Sequence, residues 1–189
     1  MSIPLVLASQ SPRRKELLEI IGIPFSIIPA AIEETPLPHE TPEQFVVRAA
    51  REKGMEVASR VTGSLVLSAD TIVTIDGEIL GKPADQNDAV RMLRKLSGRQ
   101  HAVYTAVTLV NQVKPETCEG LDRTTVWFNA LSDVQIMDYI GRENVMDKAG
   151  AYAVQGFAGV YIPRIEGNYF NVMGLPLPLV YELLCRTLS

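Results

Sequence analysis

Short apolar runs that pass directly into capped helices restrict this chain to a fold built from alternating strands and helices. "IPLVLAS" reads as a strand, and Ser11-Pro12 follows as a helix start, with Ser11 the N-cap and Pro12 at the first helical position. Leu17, Leu18 and Ile21 recur at helical spacing, and Gly22 closes the run. "PFSIIPA" is a second strand and "IEETPLPHETPEQ" a loop rich in Pro and Glu. Thr41-Pro42-Glu43-Gln44 is a capping box that opens a helix running to about Arg60. "SLVLSAD" is an apolar strand ending in an acid, and "TIVTIDGEIL" alternates around the Asp76-Gly77 hairpin turn. A "GKP" loop leads to a helix capped near Asp85 and stopped by Gly98. Two long strands joined around Lys114-Pro115 follow, then a helix from the Ser132/Gln135 capping box to near Gly141. "AGVYIPRIEGNYF" reads as strand and turn, and "PLPLVYELLCRTL" as a terminal helix started by Pro176.

Alternation followed by successive strands predicts an α/β fold with a mixed sheet, extended into a second lobe. No internal repeat or low-complexity linker interrupts the 189 residues. One domain over residues 1–189, with two lobes and no separable linker, is therefore expected.

Charge narrows the function. A net charge of -4 argues against a general nucleic-acid or membrane-surface binder, which would be basic. Cys118 and Cys185 are the only cysteines, so neither a disulfide framework nor a CxxC metal site is present. His39 and His101 are too few and too scattered for a histidine zinc site. No long apolar stretch with a cationic start accompanies "SIPLVLAS", and no segment approaches the ~20 apolar residues of a membrane span. A soluble protein of a reducing cytoplasm is expected.

Several residues sit where structure alone does not ask for them. Arg13, Arg14 and Lys15 occupy the first turn of a helix, where each cation costs on the order of 0.3–1 kcal/mol against the dipole. They either bend away into water or face an anion, which free N–H groups and two guanidinium groups would clamp. Lys53 shares a helical stripe with Val46, Ala50 and Val57, so it either snorkels to the surface or points into a cleft. Asp70 ends an apolar strand, a place for chemistry or for a turn-capping acid. Lys82 in "GKP" is displayed from an extended loop, yet the P-loop pattern is absent. Glu33-Glu34 are a solvated loop pair or magnesium ligands. "DKAGAYAVQG", Asp147 to Gly156, is a plain connection or a binding loop. Taken together, the four cations Arg13, Arg14, Lys53 and Lys82 with the acids Glu33 and Asp70 suit a polyphosphate and a magnesium ion.

"LASQSPRRKELL", "IEE", "SADTIV", "GKP", "RMLRKLSGRQH", "TAV", "DKAGAYAVQG" and "VMGLPL" occur in this order from about Leu5 to Leu184. The set closely resembles the Maf family of nucleotide pyrophosphatases, once described as septum-formation inhibitors. The resemblance implies an elongated Maf/ITPase-like α/β fold with a mixed central sheet and an active-site cleft between two lobes. It implies house-cleaning hydrolysis of a nucleoside triphosphate to the monophosphate and pyrophosphate with a divalent cation, Mg2+ foremost and Mn2+ or Co2+ as substitutes. It also implies a homodimer. By position, Asp70 would be the general base, and Ser9, Arg13, Arg14, Lys53 and Lys82 would hold phosphates. Glu33 with Asp70 would hold the metal. Thr71, the Asp147-Lys148 pair of "DKAG" and Gln155 match the branch that resembles dTTP/UTP pyrophosphatases, with Arg13, Thr71 and Gln155 setting specificity. Gln155 offers both a donor and an acceptor to a pyrimidine edge. The rival expectations are a 7-methyl-GTP or other modified-nucleotide pyrophosphatase and a non-catalytic nucleotide-binding regulator of cell division. "VMGLPLPL" is expected to serve packing.

Overall fold

The computed structural model describes residues 3–188. Its elements in chain order are β1 (Leu5–Leu7), α1 (Pro12–Ile21), β2 (Phe25–Ile27), α2 (Pro42–Ala58), β3 (Leu65–Ile75) and β4 (Glu78–Leu80). They continue with α3 (Gln86–Leu96), β5 (Gln100–Asn111), β6 (Glu116–Trp127), α4 (Asp133–Arg142), β7 (Arg164–Glu166), α5 (Tyr169–Met173) and α6 (Leu177–Leu188). The sheet order is β2-β1-β3-β5-β6-β7, with β4 paired to β3. β1 runs parallel to both β2 and β3, whereas β3–β4 and β6–β7 are antiparallel. The fold is thus mixed α/β, as the alternation of elements predicts. No helix of the described residues is long and apolar enough to cross a membrane.

The chain divides into two compact units. One contains the segment through Asp70, Thr105–Asp122 and the segment from Gly174 onward; the other contains Thr71–Tyr104 and Arg123–Met173. The divisions fall inside β3, β5 and β6 and after α5.

In the first unit the helix boundaries follow the caps. Ser11 accepts from Arg14 N, Pro12 opens α1, and Gly22 ends it in the left-handed region at φ 76°. Thr41 and Gln44 close a reciprocal capping box on α2. β1 is buried along its whole length, as expected of a parallel strand between neighbours. Val6, Ala8, Val57, Val66 and Val110 form one apolar cluster here. Gly54 lets α2 lie close on β3, since a Cβ there would stand 2.7 Å from Ser68 Oγ. Ser68 Oγ in turn donates to Ala50 O at 2.7 Å. This close approach puts Lys53, beside Gly54, within reach of Asp70.

β3 corrects one expectation. The acid does not end a strand; Leu65–Ile75 is a single strand with Asp70 near its middle. Lys53 supplies the counter-charge that allows a carboxylate in buried strand, and the following Thr71, Ile72, Val73, Thr74 and Ile75 are all β-branched. The strand then turns at Asp76-Gly77, both in the left-handed region.

The second unit has its own core, which includes Val73, Leu80, Leu93, Leu96, Val103, Val126, Ile136 and Tyr139. α3 buries Ala89, Met92, Leu93 and Leu96 at helical spacing. Ser132 and Gln135 close the capping box of α4. "AGVYIPRIEGNYF" departs from the strand reading: Phe157–Tyr161 is a 3-10 helix, only Arg164–Glu166 is strand, and α5 follows. Ala158 and Tyr161 are buried three residues apart, and that spacing favours a tight helical turn over a strand.

Candidate active site

In the first unit, Lys53 is the centre of an ion-pair group. Its Nζ lies 2.6 Å from Asp70 Oδ1 and 2.8 Å from Glu34 Oε1. Lys53 is 8% exposed and Asp70 4%, so the pair is withdrawn from water. The snorkelling alternative for Lys53 is therefore overturned: Asp70 gives its charge a buried partner. Burial pushes the Asp70 carboxyl above its ordinary value, as does the Glu34 charge, against the downward pull of Lys53 and Arg14.

Arg14 turns back from the first turn of α1 instead of extending into water. Its Nε donates to Gly174 O at 2.8 Å and its Nη1 to Ser9 Oγ at 3.4 Å. Burial lowers its pKa, whereas the charges of Asp70 and Glu34 raise it. Ser9 is buried, and its Oγ also accepts from Ser11 N at 3.2 Å. Ser9, Arg14, Glu34, Lys53 and Asp70 are therefore one connected electrostatic group. Arg13 is half-buried beside Arg14, whose pKa its charge lowers. Glu33 is exposed; the acid that reaches Lys53 is its neighbour Glu34. Sequence reasoning takes Glu33-Glu34 together, and only the turn of the loop distinguishes Glu34 from Glu33. It misses the Gly174 carbonyl, which gives "VMGLPL" a role besides packing. The only cue at Gly174 is the glycine, which adopts φ 107°.

In the second unit, Thr71 is half-buried in β3 and Lys82 is exposed on the loop after β4. That loop and "DKAG" are tied together, since Gly150 N donates to Gly81 O at 3.0 Å. Gly150 stands at φ 67°, and a Cβ there would meet Val73 at 3.1 Å, so glycine is required twice over. Lys148 Nζ pairs with Asp147 Oδ1 at 2.8 Å and also donates to Asn144 O. Gln155 is exposed. Lys82, Asp147 and Lys148 are thus carried on two joined loops.

The segment between Lys148 and Gln155 is anchored from below. Tyr152 OH lies 2.8 Å from His101 Nε2, and Phe128 stacks edge-on with Tyr152 at 5.0 Å. His101 is 3% exposed, and its Nδ1 has no hydrogen-bond partner. Burial drives its pKa down to about 3, so the ring is neutral in the folded protein. The unfolded chain takes up a proton near pH 6.5 that the folded chain refuses, so this site destabilises the fold as pH falls below that value. His101→Phe should remove a stability loss of about 1.4 kcal/mol per pH unit on the acid side of pH 6.5. Urea unfolding of both proteins at a series of pH values between 7 and 5 checks this. Parallel curves would show that His101 titrates normally in the fold.

The model of the family described as Maf-like protein matches residues 4–187. A dTTP/UTP pyrophosphatase of Syntrophomonas wolfei is 46% identical over 180 residues, 95% of each chain. One of Citrifermentans bemidjiense is 48% identical, covering 95% of this chain and 93% of that protein. One of Clostridioides difficile is 43% identical over 185 residues, 98% of this chain and 95% of its own. Near-complete coverage at this identity extends the match through both units, and the chain belongs to the Maf family.

Proposed function

We propose that this protein is a nucleoside triphosphate pyrophosphatase that hydrolyses dTTP and UTP to the monophosphate and pyrophosphate. The observation that carries the reading is the buried Asp70 carboxylate, held by Lys53 at 2.6 Å beside Arg14. The names of the relatives from Syntrophomonas wolfei, Citrifermentans bemidjiense and Clostridioides difficile support the substrate assignment.

Asp70 acts as general base. Its carboxylate takes a proton from water while the water oxygen bonds to the α-phosphorus. The bond from that phosphorus to the bridging oxygen breaks, and pyrophosphate leaves with the electron pair. Burial raises the basicity of Asp70 while the Lys53 and Arg14 charges pull in the opposite direction, and a raised carboxylate pKa is the direction that suits a general base. Arg13, Arg14, Lys53 and Ser9 bind phosphate oxygens, with Lys82, Asp147 and Lys148 completing substrate binding. Arg13, Thr71 and Gln155 set the preference for a pyrimidine.

The donor set fits a divalent cation of the magnesium type. Among the described residues no group of three or more His, Cys, Asp or Glu side chains converges on a metal site. Magnesium characteristically takes one or two carboxylates and completes its shell with phosphate oxygens and water. Asp70 and Glu33 would supply those carboxylates, with Glu34 alongside. When bound, the cation neutralises charge developing on the phosphates; Mn2+ or Co2+ can substitute. We place the enzyme in the cytoplasm as a homodimer, acting on free nucleotides and not on nucleic acid.

Pyrophosphate release with magnesium, compared across dTTP, UTP, dCTP, GTP and 7-methyl-GTP, tests the reading. We expect dTTP and UTP to exceed the other substrates by at least about tenfold, the discrimination that one or two base-edge hydrogen bonds give. Preference for 7-methyl-GTP would keep the mechanism and overturn the roles of Thr71 and Gln155. Binding without turnover of any substrate would replace the enzyme by a nucleotide-binding regulator.

A further inference from the structure

The loop that carries Glu33 and Glu34 is strapped to α2 on both sides. Towards its start, Arg60 Nη2 donates to Pro29 O at 2.6 Å, and Ala31 N donates to Glu56 Oε2 at 3.2 Å. Arg60 and Glu56 also bond each other at 2.8 Å. Towards its end, one guanidinium does the fastening. Arg48 Nε reaches Glu40 Oε1 at 2.7 Å, and Nη2 reaches Glu40 Oε2 at 2.8 Å and Thr35 O at 3.0 Å. Nη1 is held in turn by Glu52, at 3.1 and 3.0 Å from its two oxygens, one helical turn further along. Between the two straps lie Ile32, Glu33 and Glu34.

An exposed loop of Pro and Glu has little apolar surface with which to order itself, and its backbone entropy must be met by specific bonds. Isolated surface ion pairs contribute little, but a bidentate arginine in a network is the exception. Arg48 touches the backbone next to Glu34, through the carbonyl of Thr35. The same helix, five residues on, presents the Lys53 that Glu34 contacts at 2.8 Å.

We propose that Arg48 is a positioning residue: by bridging Glu40, Glu52 and the Thr35 carbonyl it holds Glu34 against Lys53. Arg48 is not placed among the groups that touch substrate. It acts through Glu34, which shares the Lys53 ammonium with Asp70. Its kinetic consequence rests on the hydrolase reading given above, but its structural consequence does not.

The test is a double-mutant cycle of Arg48→Met and Glu34→Gln, read by dTTP turnover and by amide hydrogen exchange. Arg48→Met should speed exchange at Ile32, Glu33, Glu34 and Thr35 while the amides of α2 stay protected. It should lower kcat roughly ten- to hundredfold, the scale of a small misplacement near reacting groups, with KM changed far less. In the Glu34→Gln background the same substitution should cost no further turnover, because the route through Glu34 is already broken. Independent, additive losses would overturn the proposal, as would unchanged exchange in the loop. If the unmodified protein turns over no triphosphate, the hydrolase reading falls, and the exchange measurement alone still decides whether Arg48 holds the loop.

Discussion

Asp70→Asn should abolish pyrophosphate release by about 10²–10⁴-fold while leaving a folded protein. The amide is close to the carboxylate in shape but cannot accept a proton from water. Lys53 keeps the Glu34 carboxylate at 2.8 Å, so its ammonium is not left without an anion. The substitution also removes one negative charge beside the proposed phosphate-binding cations, so the metal-free triphosphate should bind at least as tightly as before, whereas its magnesium complex loses one carboxylate ligand. Turnover assays alongside calorimetric titration of a non-hydrolysable dTTP analogue separate the two effects. Turnover within a fewfold of the unmodified protein would remove Asp70 from the role of base. Loss of both binding and turnover would assign it to holding the substrate.

Lys53→Met has the larger expected effect on stability. Removing one partner of a buried ion pair typically costs about 3–5 kcal/mol, because the other charge stays buried. Here the stranded group is Asp70, 4% exposed, with Arg14 as its remaining cationic influence. The carboxyl can escape by taking up a proton. Its pKa is already raised by burial and should rise further once Lys53 no longer pulls it down. A carboxyl with a folded pKa above its unfolded value binds more protons folded than unfolded. Its stabilising influence is then complete below the unfolded value, near 3.8, and is lost as pH rises through the folded one. The defect of Lys53→Met should therefore be largest at neutral pH and shrink on acidification. The double variant Lys53→Met, Asp70→Asn should recover much of the loss at neutral pH. Urea unfolding of the variants at neutral and mildly acidic pH measures both effects. A single variant as stable as the parent would mean that the pair is not buried in solution.

How much of this was legible in the sequence depends on the range of the interaction. Ser11, Thr41, Asp85 and Ser132 bond backbone donors within three residues, so the starts of α1, α2, α3 and α4 could be read from local chemistry. Asp76-Gly77 and Gly98 are likewise local signals, because glycine takes positive φ without a steric penalty and Asp-Gly favours the hairpin turn seen here. The reading failed where a local pattern was overridden from a distance. Asp70 looked like a strand end because a bare acid interrupts an apolar run; Lys53, on another element, lets the strand continue.

By itself, then, the sequence determined the order of strands and helices, their capped boundaries and the set of ionisable residues, all of which follow from short-range bonding and periodicity. Through shared motifs it also determined the family. Only the tertiary structure decided that Glu34 and not its neighbour meets Lys53, and that Arg14 is held by the Gly174 carbonyl. It alone decided that Arg48 grips the loop at Thr35 and Glu40. These are pairings that local pattern does not specify; the Lys53–Asp70 pair, for one, follows from how closely Gly54 lets α2 settle on β3. Composition and spacing specify which charges exist, whereas burial and close approach decide which of them share an ammonium.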